Sequence, residues 1–546
     1  MRKRTLLIVV VLMAALLVSA SPGEVIPVGD RFYDIIDSLF ILNGQAIPSG
    51  TRPWTKAEAI NELSLLDRSG LTGAALGLYD ELDAYLAGDR DPSVSVGAAV
   101  NPEIYVHTDR EFSTEELRPV DYNRRKALLV GSLELSAWGF HFHTELSAGV
   151  GRVAAGDSFT HYDELESFPV DVTGRLRVVS SELYSPYFRF NFPGSGEAEV
   201  QTPKSAWLTY AWDNGSIGFY KEKKEWGVSY LGNYIYDRHI SSYSTATLKF
   251  FNRIFDIDIS VMFPYSYLGG SAKSYTMEYR RLFLSHRIQV RILRNLSLAL
   301  SENVMYWIRD GFEPLFTNPA LIFHNNVEDN LFNAIAHVEL EYVPFKGLRL
   351  YSQIGVDQGS VPFFEDESKE DLAAGFTFGS EYVFLIDDAV ASAGIECALV
   401  TPAMYRRGKQ HPDFIIADIA TMNDDIYTMV PFFTYMGFPY GGDTFAARIG
   451  FDYRKGRLYT ALSSVMIWKG EQSFLTPLTV PSGLSLTGDI RFGMYIEASA
   501  EYRMDIGKFP LSLRTVVDGV FDEEKGFDLQ VTVGASISAT ARLSVD

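Results

Sequence analysis

The sequence predicts an outer-membrane β-barrel of about eighteen antiparallel strands that follows a small α-helical domain. Three observations carry this prediction: an N-terminal secretory leader, no later apolar run long enough for a membrane-spanning helix, and long segments in which apolar and polar residues alternate. A chain without such helices can enter a bilayer only as a closed barrel, because every backbone N–H and C=O must be hydrogen-bonded there.

Residues 1–20 are typical of a signal peptide. Residues 2–4 are basic, Leu6 to Val18 form an apolar stretch, and Val18-Ser19-Ala20 gives the small-x-small pattern of a cleavage site. The apolar stretch is too short to span a bilayer. We therefore expect export to the outer membrane of a diderm bacterium.

The composition narrows the possible functions. The formal net charge of −21 argues against nucleic acid as a partner, since binding to phosphates needs a positive surface. The only cysteine is Cys397, which leaves no intramolecular disulfide and no lipid-attachment site after the leader. The mean hydropathy of +0.01 fits strands in which apolar and polar residues alternate.

Residues 21–92 are predicted to form a periplasmic or plug-like helical domain. Asp30 can cap a first helix that Gly44 ends, and Thr55 with Glu58 forms a capping box that opens a second. A third helix is expected before the Asp89–Pro92 break.

Residues 93–546 are predicted to form the barrel. The last segment is the clearest strand, since apolar and polar or small residues alternate from Phe527 to Val545. Eight short turns separate such segments, and longer connections lie between successive turns, which is the outer-membrane pattern with the short turns on the periplasmic side. The turns lie at 138–139, 213–215, 252–253, 294–295, 344–347, 387–388, 454–456 and 505–507. One further strand at each end gives the count of about eighteen.

Two connections are long enough to fold inward, Gly151–Pro203 and Thr401–Asp443. The first is also long enough for an extra hairpin. Inward folding would plug the barrel.

No set of residues points to an enzyme. The sequence lacks the metalloprotease, serine-hydrolase, phosphate-loop and paired-cysteine motifs. The acidic pairs Asp387-Asp388 and Asp424-Asp425 lie in a turn and a polar loop, where solvated carboxylates are common. His141 and His143 share one strand face but lack further metal ligands. We expect neither a cofactor nor a metal.

Several segments occur in an order that is similar to one known family. They are Ile26–Asp30, Asp34–Leu39 and Arg52–Thr55 at the N-terminus, Gly218–Lys221, Glu225–Gly227 and Leu231–Ile235 in the middle, then Ser285–Ile288, Leu296–Tyr306, Asn318–Pro319, Asn325–Asn326, Asp329–Asn330 and Gly347–Tyr351. In these segments the chain resembles the capsule-assembly Wzi family, outer-membrane barrels with an N-terminal helical domain. The resemblance implies a non-enzymatic, lectin-like barrel that binds or anchors capsular polysaccharide or exopolysaccharide at the cell surface.

Glycan recognition would use aromatic faces and hydrogen-bonding side chains in extracellular loops. The candidates in the first loop are Trp226, Tyr234, Tyr236 and Arg238, those in a second are Trp307, Arg309, Asn325 and Asn326, and those in a basic segment are Tyr405, Arg406 and Arg407. Aromatic residues at strand ends can instead form the interfacial girdle, and loop arginines can pair with lumenal carboxylates.

Two other functions remain open on the sequence alone. A barrel of this size can hold an aqueous lumen and act as a porin-like diffusion channel. The N-terminal segment, with Gly50–Pro53 and Thr55–Ala59, is also similar to a degenerate S-layer-homology repeat, which would tether a structural barrel to the cell wall. The other expected partners are outer-membrane lipid and the barrel-assembly machinery, although the chain ends without an aromatic residue. A monomer is expected.

Overall fold

A computed structural model of the chain describes residues 22–87, 92–108, 126–150, 179–180, 187–192, 196–201, 205–240, 243–264, 280–308, 332–358, 372–406, 413–422, 428–472, 484–524 and 526–544. The predicted signal peptide, residues 1–20, lies outside these ranges.

The predicted fold is confirmed: eighteen antiparallel strands form a closed barrel, the first of them in two parts. The strands are β1 (Ser93–Val100 continued by Glu103–His107), β2 (Leu129–Ala137), β3 (Phe140–Val150), β4 (Ala206–Trp212), β5 (Gly215–Glu222), β6 (Tyr243–Phe251), β7 (Phe255–Phe263), β8 (Arg280–Leu293), β9 (Leu296–Ile308), β10 (Phe332–Phe345), β11 (Leu348–Gln358), β12 (Ala373–Ile386), β13 (Ala389–Val400), β14 (Thr444–Lys455), β15 (Leu458–Lys469), β16 (Arg491–Ile506), β17 (Phe509–Asp522) and β18 (Gly526–Ser544). Both parts of β1 pair with β18, which closes the ring.

The short turns follow from local sequence. All eight predicted turns join neighbouring strands, from β2–β3 to β16–β17. At the first of them Trp138 (φ 54°) and Gly139 (φ 84°) both adopt left-handed backbone conformations. Type I′ turns require this at both central residues and match the twist of the strands they connect.

The alternation in each strand separates an apolar outer face from a polar inner face. On β12, Phe378 and Tyr382 point outward and are 61% and 46% exposed, whereas Thr377 and Glu381 point inward and are buried. Exposed apolar side chains recur on the outer face of strands around the ring. An apolar band around a closed barrel is the lipid-facing surface of an outer-membrane protein.

The N-terminal region folds as three helices: α1 (Arg31–Leu42), α2 (Lys56–Leu63) and α3 (Ala74–Leu86). The predicted caps are present, since the Asp30 side chain accepts a hydrogen bond from the Phe32 N–H and the Thr55 side chain accepts one from the Glu58 N–H. None of the described helices is long and apolar enough to cross a membrane.

The helices pack against the barrel. Their apolar cluster includes Val383 and Val390, which flank the short turn between β12 and β13. The Gly347 N–H donates to the Ile41 carbonyl (2.9 Å), and the Ala46 N–H donates to the Arg294 carbonyl (3.0 Å). The helical region therefore lies at the end of the barrel that carries the short turns.

The long connections add further structure. A hairpin of Tyr187–Phe192 and Gly196–Gln201 pairs with β3, as the length of the Gly151–Pro203 connection predicts. Ile415–Met422 and Thr428–Tyr435 form a second hairpin, which also pairs with Val179–Ser180.

Candidate functional site in the barrel lumen

The N-terminal region reaches into the lumen and is fixed there by buried charges. The Lys249 ammonium on β6 lies 3.1 Å from both carboxylate oxygens of Glu58, and the Arg291 guanidinium on β8 lies 2.9 Å from the Glu62 carboxylate. Both glutamates belong to α2 and are fully buried. Because a buried charge without a partner is costly, these ion pairs position α2 on the barrel wall.

The segment before α2 makes matching contacts with the wall. The Ile47 N–H donates to the Glu341 carboxylate (2.7 Å), and the Gly50 N–H donates to the Gln289 side-chain oxygen (3.0 Å). The Gln289 amide in turn donates to the Ile47 carbonyl (3.1 Å). Inward-facing wall residues thus satisfy the backbone of a loop that would otherwise be buried without partners.

The burial of α2 perturbs the carboxyl group of Glu62. Burial raises the pKa of Glu62 from 4.5 to about 7, although the opposing charge of Arg291 lowers it. The Glu62 carboxyl therefore takes up a proton more readily in the docked helix than it would in water.

A second segment, residues 223–240, also folds into the lumen. Its Glu225–Trp226 strand pairs with Thr51–Arg52 of the N-terminal region. The Ser229 hydroxyl and the Tyr230 and Leu231 N–H groups donate to the Glu396 carboxylate on β13. This segment therefore bridges the N-terminal region and the wall.

Four predicted glycan-binding residues lie in this segment, and for the three aromatic ones the structure corrects the exposed position that the sequence predicts. Trp226, Tyr234 and Tyr236 are at most 1% exposed. Their polar tips meet inward-facing wall residues: Trp226 Nε1 donates to Asp258 (3.2 Å), and the Tyr234 and Tyr236 hydroxyls lie 2.7 Å and 2.9 Å from hydroxyl oxygens of Thr377 and Ser285. Burial of an aromatic ring is favourable when its polar atom keeps a hydrogen bond. The buried position is therefore more stable for these side chains than an exposed position in a loop.

A third inward segment includes the basic region. Tyr405 is fully buried rather than exposed; its N–H donates to Asp357 (2.9 Å), and its hydroxyl donates to the Tyr234 carbonyl (3.1 Å) and accepts from the Phe438 N–H (2.7 Å). Arg406 is 3% exposed, again in contrast to the expected loop surface. The inward folding expected for Thr401–Asp443 is thus observed at residues 401–406 and 436–443, which are buried.

The remaining candidates are only partly described. Trp307 lies in β9. Arg309, Asn325, Asn326 and Arg407 lie outside the described residues.

The three inward segments leave a polar cavity of about 320 Å³ between α1, residues 225–238 and the inner faces of β11 to β16. Its charged lining residues are Arg52, Arg238, Arg349, Arg448, Arg454, Asp34, Asp37, Glu225, Glu381, Asp452 and Glu497. Among the predicted ligand residues whose burial is described, Arg238 alone lines this cavity, with half of its side chain (51%) exposed. Its Nε lies 3.3 Å from Glu225.

Most of the charges in the cavity are paired. Arg349 lies 2.8 Å from Glu381, and Arg52 contacts both Asp37 and Glu225. Such pairing stabilises the lining and sets the orientation of its side chains.

Arg448 differs from the other arginines of the cavity. Within the described part of the chain it makes no hydrogen bond or ion pair, and its guanidinium lies 4.5 Å from the centroid of the Tyr230 ring. Sequence reasoning missed it, since an arginine at an inward position of an alternating strand has no distinguishing signal.

The described residues contain no group of three or more side chains suited to a metal ion. Of the histidines noted in the sequence, His141 accepts a hydrogen bond from Trp207 Nε1 (3.0 Å), and His143 stacks on the same indole.

The closed barrel, its apolar outer face and its polar, occupied lumen define the chain as an outer-membrane β-barrel protein. No family model and no curated protein matches its sequence. Among solved structures it is similar to Wzi, an outer-membrane protein involved in group 1 capsule assembly in Escherichia coli and described as a carbohydrate-binding β-barrel. The TM-score is 0.57 at 12% sequence identity, over 95% of this chain and 99% of that one.

Two further solved structures show lower similarity: OccAB4 of Acinetobacter baumannii and OccK1 of Pseudomonas aeruginosa, with TM-scores of 0.39 and 0.38 at 10% identity. Each match covers 83% of this chain, together with 98% of OccAB4 and 99% of OccK1.

The structural similarity to Wzi confirms the resemblance inferred from the sequence. At 12% identity this similarity concerns the fold.

Proposed function

We propose that the chain is a non-enzymatic outer-membrane barrel that binds surface polysaccharide and helps to hold it on the cell. The observation that carries the proposal is the filled lumen. Residues 45–62, 223–240 and 401–406 occupy it and are fixed to the wall through buried hydrogen bonds and ion pairs such as Lys249–Glu58. A barrel occupied in this way serves better as a rigid scaffold than as a conduit.

The fold adds support, because the similar solved barrel is described as carbohydrate-binding. The chemistry of the lumen is also suitable for glycans. Sugar hydroxyls need hydrogen-bond donors and acceptors at short spacing, and acidic sugars need guanidinium groups. The cavity offers arginines, carboxylates, serines and tyrosines together.

The tethered-barrel alternative receives less support from the helical region. The outer side of α3 carries Asp80, Glu81 and Asp83, whereas Ala75, Leu78, Leu82 and Leu86 on its other side are buried. An acidic surface repels anionic cell-wall polymers.

Binding of polymer to the purified protein tests the proposal. The full-length barrel in nanodiscs is mixed with acidic polysaccharide isolated from the surface of the host, with neutral dextran as the control polymer, and polymer that co-sediments with the discs is measured. We expect the host polymer to co-sediment and dextran to remain free. Absence of co-sedimentation would refute polysaccharide binding.

Planar-bilayer recording on the same preparation tests the porin-like alternative. The proposal predicts that the wild-type barrel conducts far less than an open barrel of the same strand number. A steady, ohmic conductance with no polymer binding would establish the diffusion channel in its place.

A further inference from the structure

The lumenal cavity contains a cation that the described protein groups leave available. Arg448 on β14 points inward, opposite to Ile449, which is 56% exposed on the lipid face. Its guanidinium lies against the ring of Tyr230 and has no described hydrogen-bond acceptor. An arginine that stacks on an aromatic face keeps its N–H edges free to bind a carboxylate or phosphate with two parallel hydrogen bonds.

The cavity is large enough for a small ligand. Wall residues that line it have short side chains, among them Ser392, Ala461, Ser463 and Ser499. Its volume of about 320 Å³ is at the lower end of the range for small-molecule sites, roughly 300–1,000 Å³. Tyr230 is 37% exposed, so its ring is accessible from the cavity.

The remaining polar groups are suited to hydroxyls. The Ser463 and Ser499 hydroxyls make no hydrogen bond within the described residues, and each can both donate and accept. Asp452 accepts from the Tyr459 hydroxyl (2.8 Å) and from the Ser392 hydroxyl (3.4 Å), and its two carboxylate oxygens keep further acceptor capacity. A bare anion would be repelled by Asp452, whereas a polyol with one acidic group satisfies Arg448 and these acceptors together.

We propose that this cavity binds a single sugar unit that carries an acidic group, either a carboxylate or a phosphate. Arg448 holds the acidic group, and Asp452 with the two serines holds ring hydroxyls. The inference rests on the proposed function, since it assigns a sugar-binding subsite to a polysaccharide-binding barrel.

Saturation-transfer NMR on the full-length, detergent-solubilised protein tests the subsite. The probes are D-glucuronate, D-glucose 6-phosphate, D-glucose and inorganic phosphate. We expect at least one acidic sugar to bind at least about tenfold more tightly than glucose or inorganic phosphate, as one charge-assisted hydrogen-bonding pair provides. The two acidic sugars distinguish a carboxylate from a phosphate.

Two variants locate the binding. Arg448→Gln should weaken binding of the acidic sugar at least about tenfold. Arg457→Gln is the matched control, because Arg457 pairs with Asp505 in an exposed short turn, and it should bind as the wild type does. Equal binding of glucose and the acidic sugars, equal binding by Arg448→Gln and the wild type, or no binding of any sugar would overturn the subsite.

The polymer co-sedimentation assay distinguishes this failure from failure of the proposed function. If polymer co-sediments but no acidic sugar binds at Arg448, the subsite is wrong and the polysaccharide-binding function stands. If an acidic sugar binds and polymer does not co-sediment, the proposed function is wrong and the subsite stands as a site for a free sugar acid.

Discussion

Replacing Lys249 by methionine should release α2 from the barrel wall. The substitution removes the only cation within hydrogen-bond distance of Glu58 in the described structure and leaves that carboxyl fully buried. Glu58 then avoids an unpaired buried charge by taking up a proton. Holding a carboxyl of ordinary pKa 4.5 neutral at about pH 7 costs about 3.4 kcal/mol, at 1.36 kcal/mol per pH unit. This agrees with the roughly 3–5 kcal/mol measured when one partner of a buried ion pair is removed.

Hydrogen exchange at the backbone amides of Lys56–Leu63 measures this cost. A loss of about 3 kcal/mol in opening free energy corresponds to exchange on the order of 100-fold faster, where exchange reports local opening. The double variant Lys249→Met with Glu58→Gln is the control, because it replaces both charges with neutral groups of similar size. It should recover most of the protection. The reasoning is refuted if Lys249→Met leaves the exchange unchanged, or if the double variant exchanges as fast as the single one.

Three further predictions concern the N-terminal region and the inward segments. The pKa of Glu62 is about 7 in the docked helix and 4.5 in water, so between these pH values the docked state binds more protons than the undocked state. Docking of α2 should therefore weaken as the pH rises from about 5 to about 8. Glu62→Gln, which cannot lose a proton, should reduce this slope in a hydrogen-exchange series across that pH range, and an unchanged slope would contradict the assignment. Tyr405→Phe removes the hydroxyl that joins the Tyr234 carbonyl to the Phe438 N–H, so it should cost about 1–3 kcal/mol and make residues 401–406 and 436–443 more sensitive to protease than in wild type. Asp30→Ala removes the α1 cap and should lower the free energy of opening α1 by about 1 kcal/mol in hydrogen exchange, whereas Asp30→Ser should keep most of it.

The strands and turns of the barrel could be predicted from the sequence because their determinants are local. Alternation along Phe527–Ser544 specifies which face meets lipid, and residues such as Gly139 specify where the chain reverses. Each determinant lies within a few residues of the feature it determines, so the sequence pattern alone predicts the number and order of the strands.

The arrangement of the lumen could not be predicted in this way. Trp226 is buried where Asp258 of the barrel wall accepts a hydrogen bond from its indole N–H. Ser229 lies inward because its hydroxyl donates to Glu396, which is distant in sequence. Such contacts depend on the shape of the closed barrel rather than on local pattern. For the same reason, aromatic and basic residues that the sequence predicts on the outer loops lie in the barrel lumen, and no sequence pattern indicates that Arg448 lines the cavity.

The partition of surface polysaccharide between cells and medium tests the account most directly. The gene is deleted in its host, the deletion is complemented with the wild-type gene, and polymer is quantified in the cell pellet and in the culture medium. We predict that deletion moves polymer from pellet to medium at constant total, and that the wild-type gene reverses the shift. An unchanged partition after deletion, with the same total polymer, would contradict the proposal that this barrel holds polysaccharide on the cell.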